Sequence, residues 1–199
     1  MLNKSIDTSV PVHHLLAERY SGVSYDPARQ VPADILRAIA EAGRWAPSCF
    51  GDEPWRFIIC CKQQHPVAWE KALDCLMAGN QPWCQHAPVL IIICTDTLFN
   101  HNGMPNPFGP YDTGAAAMSM CLQATAHGLM THQMGGFVAT KAQESFAIPE
   151  RFRPLAMMTL GYQLPESELP EAFKGRELAP RKRQPLASQF FNGEWDKGL

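Results

Sequence analysis

The sequence lacks most of the short motifs that announce a nucleotide-binding or hydrolytic chain. No GxGxxG follows a strand-like run and no GxxxxGK[ST] occurs, so dinucleotide-fold and P-loop readings fail at their first requirement. GxSxG and HExxH are missing too, which removes the usual serine-hydrolase and zinc-protease arrangements. There is no internal repeat and no low-complexity linker across the 199 residues, so a single domain over 1–199 with a substantial core is expected. Charge is scarce, at 18% of residues, and nearly balanced at −2, with a pI near 6.4. That balance gives no reason to expect nucleic acid or an anionic membrane as a partner. The apolar stretch at 114–130 is interrupted by Gln123 and His127 and is too short and polar to span a bilayer. The first ten residues are polar and lack a signal-peptide core, so the cytoplasm is the expected location. Seven cysteines are present, an odd number with no CxxC, which argues against a disulfide framework. Cys60, Cys61 and Cys94 lie in β-branched runs and read as small buried hydrophobes. Cys75, Cys84 and His86 invite a zinc reading, but their spacing matches no usual finger, and no metal is expected.

What the chain does have is clear periodicity. Pro32 and Asp34 open a helix whose Ile35, Leu36, Ile39 and Ala42 recur at helical spacing. Strands are expected at 57–61, 129–134 and 155–161, and the unbroken apolar run at 89–94 reads as a central strand buried on both faces. Helices are expected at about 67–77 and 141–147, and the Asn-, Gly- and Pro-rich 100–110 is a loop. Asp112 reads as the N-cap of a helix ending near Gly128, with Met118, Cys121, Leu122 and Thr125 on one face. Gly114, Ala115, Ala116 and Ala117 keep its first turns thin, which suits either the centre of a dimer or a tightly packed core helix. The tail from Leu164 is rich in proline and charge yet carries Phe190, Phe191 and Trp195, aromatics that need a surface to cover.

The most informative stretch is 46–57, APSCFGDEPWRF, between the first long helix and an apolar strand. Pro47 stops the helix, Ser48 offers a hydroxyl, Gly51 can take positive φ, and Trp55 is large and flat. Such a loop suits the edge of a planar ligand, and it also suits a Pro-capped turn anchored by its Trp.

The segment resembles the APSSxNxQPWxF pattern of the FMN-dependent nitroreductase family. Other landmarks follow in order: Arg19-Tyr20-Ser21-Gly22-Val23, Ala78-Gly79-Asn80, Asp112-Thr113-Gly114-Ala115-Ala116, Gly135-Gly136-Phe137 and Arg181-Lys182-Arg183. The resemblance implies an α+β fold, a central mostly antiparallel sheet flanked by helices, and a homodimer with a swapped C-terminal arm. It implies FMN as cofactor, with Arg19, Ser21, Arg181 and Arg183 at the phosphate. Tyr20 and Val23 would lie along the same segment, Val23 beside the pyrimidine end of the ring. Pro47, Ser48 and Cys49 would reach the flavin from the other subunit. Asn80 would contact the ring, and Gly135 and Gly136 would approach its reactive edge. From the residues alone, Arg181-Lys182-Arg183 also reads as a solvated basic run and Asn80 as a turn asparagine; His132 points either into the site or, as favoured here, into the core.

Four departures from the family pattern stand out. Val23 replaces a usual Arg or Lys, Gly51 a frequent Asn, and Glu53 a frequent Gln; Tyr20 also sits where a second basic residue is common. With no cation at Val23, the flavin is expected to be harder to reduce. The activity implied is NAD(P)H oxidation coupled to reduction of a nitroaromatic, quinone or similar acceptor in ping-pong order, with no protein nucleophile. The alternatives within and beyond the fold are another reaction of reduced flavin, such as dehalogenation or flavin cleavage, or a non-catalytic flavin-binding protein.

Overall fold

The computed structural model describes residues 2, 4 and 6–199. Four strands, β1 (Trp55–Cys61), β2 (Val89–Asp96), β3 (Met130–Met134) and β4 (Phe152–Gly161), form a sheet in the order β1-β2-β4-β3. Every neighbouring pair is antiparallel, so the class is α+β as expected. All eight residues of β2 are buried, as its apolar run predicts for a strand packed on both faces. Alternation divides the core. Cys60, Leu90, Ile92, Cys94 and Met157 face one cluster with Tyr20, Val23, Tyr25, Trp69 and Trp83. Val89, Ile91, Ile93, Met158 and Leu160 face the other.

Seven helices surround the sheet among the described residues: α1 (His14–Glu18), α2 (Ala33–Arg44), α3 (Pro66–Asp74), α4 (Gln81–Cys84), α5 (Gly109–Ala126), α6 (Ala139–Ser145) and α7 (Glu171–Leu178). α5 lies on the second cluster through Ala117, Met120, Cys121 and Ala124. α2 crosses it at Gly43, where a Cβ would come 2.8 Å from Met120 Cγ. On its other side Gly114 meets open space, so the thin start of α5 is packed on one face only. No helix among the described residues is long and apolar enough to cross a membrane.

Three local expectations need correcting. α5 starts at Gly109 with Pro110 in its first turn, so Asp112 lies inside the helix and is not its N-cap. β4 begins at Phe152 and includes Pro154, which is tolerated because the β2–β4 register shifts at Ile93/Cys94, opposite it. The tail contains α7, with Pro170 before it, Glu171 in its first turn and Arg176 in its last. All seven thiols are free, and burial pushes Cys60 up to about 12 and Cys94 to about 11, so both stay protonated.

Candidate functional site

Residues 19–23 carry the chain from α1 to the Tyr25–Gln163 bridge outside regular secondary structure. Arg19 and Ser21 face outward, and Arg19 Nη1 donates to Ser21 Oγ at 3.4 Å. From the tail, Arg181 returns to the same place: Nη2 donates to Arg19 O at 2.9 Å and Nη1 to Ala17 O. Burial, and then the charges of Arg19 and Arg183, hold the Arg181 guanidinium below its ordinary pKa. Among the described residues none of these three arginines is ion-paired to a carboxylate. Cations gathered without a counter-charge, beside a hydroxyl, form a site for a compact anion such as a phosphate.

Tyr20, Gly22 and Val23 are buried. Tyr20 is 6% exposed and Val23 0%, both within the first core cluster. The expectation that their side chains border the cofactor is thereby corrected: at these positions only backbone is available to a ligand. Val23 N–H is itself committed to Glu177 Oε1 at 2.5 Å. Val23→Arg is therefore expected to destabilise the fold by about 3 kcal/mol or more, since it forces a charge and extra volume into a packed core. Thermal unfolding checks this; an unchanged Tm with a raised midpoint potential would return Val23 to the ligand's side.

A second group sits past the end of β3. Asn80 Nδ2 donates to Gly136 O at 2.9 Å, and Met77 N–H donates to the same carbonyl at 3.0 Å. A Cβ on Gly136 would stand 2.6 Å from Asn80 Nδ2, so the contact requires glycine. A Cβ on Gly135 would meet nothing within 4 Å, leaving that backbone open to an approaching ring. His132 joins the two groups. Its Nδ1 lies 2.9 Å from Gly22 O, and its ring stacks on Trp83 of α4 at 4.6 Å. A carbonyl partner requires the hydrogen on Nδ1, and burial lowers the imidazole pKa, so His132 is a neutral structural link. It is half-buried between these groups.

The loop at Pro47, Ser48 and Cys49 lies elsewhere. Cys49 N–H donates to Asp112 Oδ2 at 2.9 Å, Glu53 N–H to Ser48 Oγ at 3.1 Å, and Asn100 N–H to Asp52 Oδ1 at 2.9 Å. Phe50 at φ 57° and Gly51 at φ 64° complete a tight turn, as Gly51 predicts. This loop leads into β1, on the opposite edge of the sheet from β3 and about 14 Å away at the usual strand spacing. One protomer thus brings together Arg19, Ser21 and Arg181, pairs Asn80 with Gly136, and leaves Arg183 exposed with its guanidinium on Lys182 O at 2.8 Å. It does not bring Pro47, Ser48 and Cys49 to them. Two organising roles were not read from the sequence: Asp112, expected as an N-cap, holds the loop, and Glu177, in the proline- and charge-rich tail, accepts from the 19–23 segment. Two surface clefts, of about 380 Å³ beside His65 and about 210 Å³ beside Asp96, include none of these residues.

Comparison with known proteins accounts for this arrangement. An uncharacterised 15.4 kDa protein of Mycolicibacterium smegmatis is 30% identical over 62% of this chain and 82% of its own. A Ralstonia nicotianae protein provisionally named NADH dehydrogenase/NAD(P)H nitroreductase is 28% identical over 66% of this chain and 75% of its own. A solved structure described as an oxidoreductase containing FMN superposes with a TM-score of 0.88 at 32% identity, covering 97% of this chain and 96% of the other. The Nitroreductase family profile matches residues 16–162, a span that takes in both edges of the sheet and every landmark except the tail arginines. The chain belongs to the nitroreductase family.

Proposed function

We propose that the protein is a homodimeric FMN-dependent NAD(P)H oxidoreductase whose acceptor is a nitroaromatic, a quinone or a similar small oxidant. The observation that carries this reading is the pairing of Arg19 with Arg181, without a carboxylate partner, on a segment that packs on the same core cluster as the one carrying the open backbone at Gly135. A phosphate at one end and a flat ring at the other fit that pair of features. The FMN in the similar solved structure and the NAD(P)H in the Ralstonia relative's name support the same choice.

FMN bound there would supply the redox chemistry, a two-electron hydride exchange between NAD(P)H and the acceptor. The chain's task is to hold and expose. Arg19, Ser21, Arg181 and Arg183 grip the phosphate; Asn80, with one amide hydrogen already given to Gly136 O, keeps the other and its Oδ1 for the ring's polar rim. Gly135 leaves one face clear for donor and acceptor in turn, the ping-pong order. Pro47, Ser48 and Cys49 close the far end from the partner subunit, because their own protomer holds them at the opposite sheet edge. His132 transfers no proton, since its Nδ1 hydrogen is held by Gly22 O.

Steady-state oxidation of NADH and NADPH by the flavin-loaded protein, with an added quinone, tests the reading. Turnover with parallel double-reciprocal lines is expected. Flavin-loaded protein that oxidises neither nucleotide would contradict it.

A further inference from the structure

We propose that Glu177, on α7, is a positioning residue for the phosphate end of the cofactor. This inference rests on the FMN reading above. Glu177 is 1% exposed and has no cation in ion-pair contact among the described residues. Its carboxylate is met by three donors. Oε1 accepts from Val23 N–H at 2.5 Å, and Oε2 accepts from Tyr20 Oη at 3.2 Å and Gln163 Nε2 at 3.4 Å. Burial, and then the charge of Glu177, push the Tyr20 hydroxyl far above its ordinary pKa, so it remains a donor.

Two of those donors are the inward-facing residues of the 19–23 segment, and they bracket the outward-facing Ser21. Glu177 therefore fixes the segment from inside while Arg181, four positions further on, grips Ala17 O and Arg19 O from outside. The two contacts together set the register in which Arg19, Ser21 and Arg181 converge. Gly22 lets the segment seat on the carboxylate: a Cβ there would lie 3.0 Å from Glu177 Oε2 and 2.3 Å from Met130 Sδ. α7 falls beyond the span matched by the family profile, which ends at residue 162.

The test compares FMN with riboflavin, which differs only by the phosphate, in fluorescence titrations of the apo-dimer. Glu177→Ala strands buried donors and frees the segment, so FMN affinity should fall about 100-fold while riboflavin affinity changes less than about threefold. Glu177→Gln still accepts from Val23 N–H and should stay within about fivefold of wild type for FMN. If Glu177→Ala does not fold, Glu177→Asp decides, with a loss of about tenfold for FMN alone. Variants that keep the wild-type FMN-to-riboflavin ratio, whatever their stability, overturn the positioning role. A wild-type protein that does not prefer FMN to riboflavin overturns the cofactor reading instead.

Discussion

Arg181→Ala is expected to lower FMN affinity by about 100- to 1,000-fold, the largest effect of any single substitution in the site. Charge-assisted bonds from a guanidinium to a phosphate contribute about 1.5–3 kcal/mol each. Arg181 also organises the site: its donations to Ala17 O and Arg19 O tie the tail to the segment that carries Arg19 and Ser21. Removing it takes one cation from the anion site and loosens a second. The half-buried carbonyls left behind should cost about 1–3 kcal/mol of stability. Arg181→Lys restores the charge but not the planar fork, so it should recover stability poorly and affinity only in part. Equilibrium titration with FMN checks both. A loss of less than about fivefold for Arg181→Ala would place the phosphate elsewhere.

The second large effect is expected from ending the chain after Leu186. The last residues fold on themselves: the Phe191 ring lies tilted against Trp195 at 4.9 Å, Phe191 bridges to Gly198, and Leu199 N–H donates to Phe190 O at 2.9 Å. Yet Phe190 is 56% exposed, Trp195 82% and Leu199 70%. Covering Phe190 and Trp195 against a partner removes about 400 Å² of apolar surface per arm, worth up to about 10 kcal/mol before the cost of association. Truncation should therefore give monomer or aggregate by light scattering. FMN should be lost with the dimer, since Pro47, Ser48 and Cys49 serve the site only from the partner. A truncated chain that stays dimeric and loaded would show that the arm does not hold the subunits together.

The strands were legible because burial writes itself into composition. The run from Val89 to Cys94 has no polar residue, and β2 is buried throughout. The tight loop was legible for a similar reason, as Pro47 and Gly51 restrict or free φ wherever they occur. Partner choice was not legible. Asp112 has the chemistry of an N-cap, but the helix starts at Gly109, with Pro110 in its first turn, and leaves the Asp112 carboxylate for Cys49 N–H. Val23 matches a position usually held by a cation, and only the tertiary packing shows an apolar side chain with no exposure. Glu177 gave no sign, since one acidic residue in a charged tail looks solvated until its three donors are in place.

The flavin content of the protein as purified tests the central claim most directly. The absorption spectrum should show a bound flavin, and heat denaturation should release FMN, not FAD or riboflavin, at about one per subunit, as a single phosphate site per chain implies. A colourless protein that takes up no FMN on reconstitution, with the dimer intact, would contradict the assignment of Arg19, Ser21, Arg181 and Arg183 as its phosphate site.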